Sequence, residues 1–260
     1  MNRGNILWGG VLIAVGALLL ADTLSGGRVD AGTLIGQWWP LLIVLVGVAI
    51  LVETAWPSRR DVGQLALPLQ GATQANVRIE FGAGRLAIGA AAPGHLVDGT
   101  FEGGVRHDVA RGGAVRLRLD PQGWWPGMRW QGYAWRVGVT REVPLALWIQ
   151  CGASTNDLDL GDLRLTDLRL GTGASETRIL LPRAGGATNM RVNAGAATVR
   201  ITVPEGVAIR MTATMALGHA SVDTRRFPPS GGGYASPDWA TAANRVDIAF
   251  EGGLGSLFVE

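Results

Sequence analysis

The chain has 260 residues, of which 47% are hydrophobic, and its formal net charge is only +2. All 23 of its Lys and Arg positions are Arg, but these are scattered among 21 acidic residues rather than gathered into the basic stripe that is typical of nucleic-acid-binding proteins. The single cysteine, Cys151, excludes an intramolecular disulfide and a cysteine-based metal cluster.

Two apolar segments dominate the first 56 residues. They cover residues 6–24 and 34–54 approximately, and each is close to the roughly 20 residues that a helix needs to cross a bilayer. Trp38 and Trp56 lie near the two ends of the second segment, as in an interfacial aromatic belt, and Pro40 suits a first helical turn. We therefore predict a two-helix transmembrane hairpin over residues 1–56 in a multi-pass protein of the cell membrane. A signal peptide is the competing interpretation of the first segment.

The charges that flank these segments predict an orientation. Arg3 precedes the first segment and Arg59 and Arg60 follow the second, whereas the connecting loop carries only Arg28. Because cationic residues favour the cytoplasmic side, both ends of the hairpin and everything that follows it are predicted to be cytoplasmic.

After a linker predicted over residues 57–75, apolar residues recur at every second position, which is the pattern of a half-buried strand. Clear examples are residues 77–81, 115–119, 135–139 and 199–203. No amphipathic helix of ten or more residues is evident after Pro57. Residues 76–260 are therefore predicted to form an all-β domain.

A repeat runs through this domain. Gly152, Gly173 and Gly195 begin similar Gly-small motifs spaced by 21 and 22 residues, Gly218 follows 23 residues later, and Gly82 begins a related turn. Each unit is predicted to contain a short strand, a turn that requires Gly, a second short strand and a connection. Because one unit cannot bury its apolar face alone, we predict a β-solenoid-like stack with outward ladders of Arg, Asp and Thr. A β-sandwich is the alternative.

One local cluster of aromatic residues stands out between residues 124 and 135. It comprises Trp124, Trp125, Arg129, Trp130, Tyr133 and Trp135. These side chains could cap an open end of the stack, or they could contact the membrane or a protein partner.

The residue types that commonly carry catalysis or bind metals are dispersed. His95, His107 and His219 lack the spacing of a zinc site. Asp157 and Asp159 alternate with leucines, which is typical of a strand rather than of a calcium site. We therefore predict no cofactor, no metal and no enzymatic activity.

An alternative function would use the β surface as an active site or as a carbohydrate- or ligand-binding surface. An enzyme would require an acid pair, for which Asp108 or Asp120 with Glu142 are the candidates.

Several motifs resemble a known family of the bacterial cell envelope. Residues 9–16 and 38–51, which read GGVLIAVG and WWPLLIVLVGVAIL, resemble the transmembrane region of LiaI/LiaF-type envelope-stress proteins. Residues 143–147, 157–163, 179–182 and 201–206 are similar to toast-rack or adhesin-like β-repeat domains, which often follow such hairpins.

This resemblance implies a membrane-anchored regulatory or scaffold protein of the envelope stress response. It implies that the β domain binds another protein, which would be a membrane-associated regulatory protein such as a sensor kinase. A homo-oligomer is a further expectation, and the lipid bilayer is the expected partner of the hairpin. The chain differs from LiaF-like proteins in having two rather than four hydrophobic segments.

Overall fold

The computed structural model describes residues 62–110, 112–119 and 133–260, which belong to one compact unit. The predicted transmembrane hairpin lies outside the described residues. Within the described ranges, no helix is long and apolar enough to span a membrane.

The described residues form a single sheet system of thirteen strands. In chain order these are β1 (Val62–Pro68), β2 (Ala75–Ala90), β3 (His95–Glu102), β4 (Val105–Ala110), β5 (Ala114–Leu119), β6 (Tyr133–Val139), β7 (Leu145–Asp159), β8 (Leu165–Leu180), β9 (Ala187–Thr202), β10 (Ala208–Val222), β11 (Pro229–Ser230), β12 (Gly233–Ala235) and β13 (Arg245–Val259). The prediction of an all-β domain is confirmed.

Six long parallel strands make up the centre of the sheet, in the order β2-β7-β8-β9-β13-β10. Parallel neighbours usually need a crossover of about a dozen residues, yet only residues 160–164 separate β7 from β8. So short a return requires each long strand to bend, so that its two halves face each other. The parallel, in-register ladder fits the predicted stacked repeat better than a Greek-key sandwich.

The core lies between the two halves of the bent strands. In β7, Leu145, Leu147 and Ile149 point inward before the bend and Leu158 points inward after it, and all four are buried. Two consecutive exposed residues, Gly152 and Ala153, interrupt the alternation. We call this pair of positions the corner of the strand.

Stacked glycines explain why the corner repeats. A Cβ added to Gly152 would lie 2.4 Å from the carbonyl oxygen of Gly82, and one added to Gly173 would lie 2.9 Å from that of Gly152. A Cβ added to Gly195 would lie 2.9 Å from the carbonyl oxygen of Gly173, and one added to Gly253 would lie 2.8 Å from that of Gly195. Only glycine permits such an approach of neighbouring backbones. The predicted short strands therefore join into one strand through each corner.

The structure corrects the predicted register of the last repeat. Gly218 pairs with Gly255, which pairs with Ala197, so Gly218 does not occupy the corner column of Gly195. Leu217 pairs with Leu254, and the corner of β10 is therefore Ala216 and Leu217. The spacing from Gly195 to this corner is 21 residues, not 23.

The order of the stack also differs from the expectation that successive units are neighbours. β13 lies between β9 and β10 and pairs in parallel with both. Its Val246, Ile248, Phe250, Leu257 and Val259 are all buried. The connection over residues 223–244 is long enough to return the chain to the β9 side.

Shorter strands extend the other end of the stack. β6 pairs in parallel with the second half of β2, and β3 and β1 follow in antiparallel order. β5 pairs in parallel with the first half of β2 and antiparallel with β4. Residues 62–68, which the sequence placed in a linker, therefore belong to the sheet as β1.

Candidate functional site

One side of the last long strand is paired over only two residues in the described part of the chain. β10 pairs with β13 along its whole length, but on its other side β12 pairs only with Arg210 and Met211. Among the described residues, no strand pairs with residues 212–222 on this side, which we call the free edge of β10. An edge strand presents unpaired backbone N–H and C=O groups, which can accept another strand.

The free edge lacks the residue types that usually prevent an edge strand from pairing with another chain. Residues 211–222 read MTATMALGHASV and include no Lys, Arg, Asp, Glu or Pro. Natural proteins usually guard edges with charges, prolines or bulges, and the register between β10 and β13 contains no bulge. The free edge is thus a long, uncharged pairing surface.

The core is also open at this end. Ala213, Met215, Ala220 and Val222 pack against the core but are only half-buried, whereas the inward residues of the preceding strands are buried. A terminal repeat normally carries a polar cap. The free edge therefore leaves apolar surface that a further strand could cover.

Two large apolar side chains lie at the corner beside this edge. Leu217 is 68% exposed and Leu254, its neighbour on β13, is 56% exposed. The same column in the four preceding strands holds only alanine, at positions 83, 153, 174 and 196. Large apolar residues therefore replace small ones where the stack ends, as expected at an interaction site.

The sequence contained the signals for this site, but no site was predicted there. An uncharged run of twelve residues and the change from alanine to leucine at the corner are both visible in the sequence. Their importance depends on β10 being the edge strand, which the strand order alone reveals.

The outer face of the first-half strands carries a second surface feature. Trp148 is 38% exposed and lies between Arg78 and Arg169, whose guanidinium carbons are 5.0 and 4.7 Å from its ring centroid. Arg78 pairs with Glu80 at 3.2 Å, and Arg169 pairs with Asp167 at 3.1 Å. Because these charges neutralise one another, the face is a solvated ladder, as the sequence predicted.

An open groove of about 450 Å³ lies where the first halves of β9, β13 and β10 begin. Arg210 and Arg245 line it together with Trp239. The Arg210 guanidinium stacks over Trp239 at 4.9 Å and donates to Asp247, a hydrogen bond that raises the pKa of Arg210. The exposed cation is thus already paired within the chain.

Of the two alternatives for the aromatic cluster, Trp135 follows packing within the β domain and does not form a contact surface. Trp135 is only 1% exposed, stacks against Phe81 and Phe101 with centroids 5.3 and 5.0 Å away, and donates its indole N–H to the Glu102 carbonyl. Trp135 is a core residue because it occupies an inward position of β6. Tyr133 is half-buried against the same core. Trp124, Trp125, Arg129 and Trp130 lie outside the described residues.

The carboxylates of the enzymatic alternative lie on separate elements. Asp108 is exposed on β4, and Glu142 lies in the turn before β7, where it accepts a hydrogen bond of 2.5 Å from the Gly94 amide. Asp120 is outside the described residues. In the described part of the chain, no group of three or more His, Cys, Asp or Glu side chains could hold a metal ion.

Cys151 is an inward residue of β7, and its surroundings make it unreactive. The side chain is buried, and this burial raises the pKa of the thiol from 9.0 to about 12. Since the thiolate is the reactive form, Cys151 is a packing residue rather than a nucleophile.

Two family models match the chain. The N-terminal domain of toast_rack, DUF2154, matches residues 57–202, which is more than half of the chain. The LiaF transmembrane domain matches residues 7–89. None of the curated proteins matches.

One solved structure shares this fold, and a second gives a weak match. A predicted cell adhesion protein from Clostridium sporogenes ATCC 15579 superimposes with a TM-score of 0.69 at 15% identity, over 77% of this chain and 99% of its own. A predicted adhesin from Bacteroides fragilis NCTC 9343 covers 78% and 99%, with a TM-score of 0.32 and 6% identity, too low to support an argument. The first similarity indicates a shared fold and carries no information on function.

Proposed function

The chain belongs to the family of the N-terminal domain of toast_rack, DUF2154, and from this premise we propose that it is a membrane-anchored regulatory or scaffold protein of the bacterial cell envelope. Its LiaF transmembrane domain makes it a membrane-associated protein. A multi-pass anchor and a cytoplasmic β domain are our predictions from the charges that flank the apolar segments. We propose a role in the envelope stress response from the resemblance described above.

The β domain acts in this proposal by accepting a strand from another chain. The free edge of β10 is the observation that carries it, because an uncharged edge beside an open core is what strand addition requires. Main-chain hydrogen bonds would supply affinity, and the half-buried apolar side chains would supply contacts. A membrane-associated regulatory protein such as a sensor kinase is one class of partner that the resemblance suggests.

We further propose that the protein is not an enzyme. The proposal rests on the separate positions of Asp108 and Glu142 and on the ion pairs that already occupy the charged outer face.

Affinity capture from membranes tests the strand-accepting role. The full chain would carry Leu217→Asp, which places a charge at the centre of the free edge. The matched control is Val109→Asp, because Val109 is 56% exposed on β4 at the opposite end of the stack. We expect proteins captured by the wild type to be lost with Leu217→Asp and retained with Val109→Asp. Recovery of the same proteins with all three chains would contradict the proposal.

A further inference from the structure

We propose that the free edge of β10 binds the same edge of a second copy of this chain, in an antiparallel dimer whose two-fold axis passes through the corner. This inference rests on the proposed function of the edge and names its partner. It follows from three properties of the edge, which are its symmetry, the direction of its side chains and its lack of charge.

The first property is symmetry about the corner. β12 blocks the edge up to Met211 and its Gly233 lies beside Thr212, so the open residues before the corner centre are 213–216. After the corner centre the edge is open over residues 217–222, of which 217–220 match them in number. A two-fold axis along the bisector of the bent strand exchanges its two halves and reverses its direction. Residues 213–220 can therefore pair with the same residues of a second copy.

The second property is that only some registers keep the core continuous. Inward residues have odd numbers before the corner, as in Ala213 and Met215, and even numbers after it, as in Ala220 and Val222. Opposed residues in an antiparallel pair point to the same face. An inward residue therefore meets an inward residue only when the two paired residue numbers have an odd sum.

The register in which every two paired residue numbers add up to 433 satisfies this condition, and it also places the corners of the two copies opposite each other. It pairs Ala216 with Leu217 of the second copy, Ala213 with Ala220, and Thr214 with His219. The half-buried apolar side chains of Ala213, Met215 and Ala220 in each copy would then continue one core through the interface. Leu217 and Leu254 of both copies would form an apolar cluster at the centre, which is where interface hot spots concentrate.

The third property is the absence of charge. Residues 213–220 contain no Lys, Arg, Asp or Glu. The edge can therefore pair with itself without placing charges of the same sign against each other.

Disulfide trapping of the full chain in detergent micelles tests the register. Two differently tagged chains both carry Cys151→Ala, and one carries Thr214→Cys while the other carries His219→Cys. Directly opposed residues have Cα atoms about 4.5 to 5.5 Å apart, which a disulfide can bridge. In a dimer of either chain alone the two introduced cysteines would lie on opposite halves of the bent strands, about 10 Å apart across the core and with side chains that point away from each other, which is too far for a disulfide. We expect a disulfide-linked dimer to appear in the mixture and in neither chain alone.

A second mixture provides the control for register. Ser221→Cys also faces outward, but in the proposed register it is diagonal to residue 214, about 7 to 8 Å away. Combined with Thr214→Cys it should give at least about tenfold less linked dimer than His219→Cys gives. Equal or greater linking with Ser221→Cys would overturn the proposed register, and a monomeric wild type in sedimentation would overturn the dimer.

The substitution Leu217→Asp separates this inference from the proposed function. It should weaken self-association of the full chain at least about tenfold, since two like charges would meet at the interface, while Val109→Asp should have no effect. If the wild type is monomeric but captures other proteins that Leu217→Asp does not capture, the edge binds a different partner and only the dimer is rejected. If Leu217→Asp changes neither result, both proposals fail.

Discussion

At the residue scale, the corner glycines set how closely successive strands can approach. The backbone of Gly152 lies so near the carbonyl of Gly82 that a methyl group must displace one strand or the other. The approach recurs at the corners of β8, β9 and β13, and it accounts for the repeat of about 21 residues in physical terms.

We expect Gly152→Ala to lower the free energy of unfolding by about 1 to 3 kcal/mol, because overpacking against backbone cannot be relieved by rotating a side chain. Gly89→Ala is the matched control on β2, since nothing lies within 4 Å of its added Cβ. That control should be neutral or slightly stabilising. Urea denaturation followed by circular dichroism measures both variants, and equal costs would refute the stacked-corner explanation.

Cys151 offers a test of burial through pH. The native thiol has a pKa of about 12, whereas its reference value is 9.0. Between these values the unfolded chain loses the proton and the native chain keeps it, so the stability that this residue contributes falls as pH rises above about 9.

Cys151→Ala removes that dependence. Relative to the wild type, the variant should gain about 1.4 kcal/mol in free energy of unfolding between pH 8 and pH 10, as determined by denaturant titration at each pH. Other groups titrate equally in both proteins and therefore cancel. A difference that stays constant from pH 8 to pH 10 would mean that the thiol is accessible to solvent.

Residue 135 illustrates what sequence patterns can and cannot decide. The alternation of Trp135, Val137 and Val139 already places Trp135 on the inward face of a strand. Its neighbourhood rich in tryptophan suggested instead a contact surface. Alternation was the more reliable guide, because the side-chain period of a strand fixes the face of every residue.

At the element scale, β13 holds the second part of the stack together. It pairs on both sides and buries five apolar side chains, each contributing about 1.5 to 3 kcal/mol. That sum is comparable to the total stability of a typical domain.

Removal of residues 245–260 should therefore abolish cooperative unfolding, as followed by circular dichroism. A peptide of residues 245–259 added in trans should restore it, whereas the same peptide with Ile248→Ser and Phe250→Ser should not. A cooperative transition in the shortened chain without peptide would show that β9 and β10 can pair directly.

The position of β13 could not be predicted from the sequence. Strand patterns and corner glycines are local features that can be seen in the sequence. Strand order depends on contacts between distant residues and cannot be seen there. The inward residues of β13 alternate like those of β10, and either strand could stack on β9. Long-range packing and the length of the connection decide between them.

At the scale of the whole molecule, the two ends of the stack differ. At the first end, β1, β3 and β4 extend the sheet with antiparallel pairs. At the second end, β12 covers only two residues of β10. A membrane-associated protein built in this way has a surface suited to joining another chain by its backbone.

Hydrogen exchange measures most directly whether the free edge of β10 is paired in the assembled protein. In the full chain in membranes or detergent, we predict slow exchange of backbone amides within residues 212–221. Protection should be lost in Leu217→Asp and kept in Val109→Asp, because only the former interrupts the edge. The informative amides within residues 212–221 are those whose N–H groups point away from β13. If they exchange as rapidly in the wild type as in Leu217→Asp, no strand is bound there and the account is contradicted.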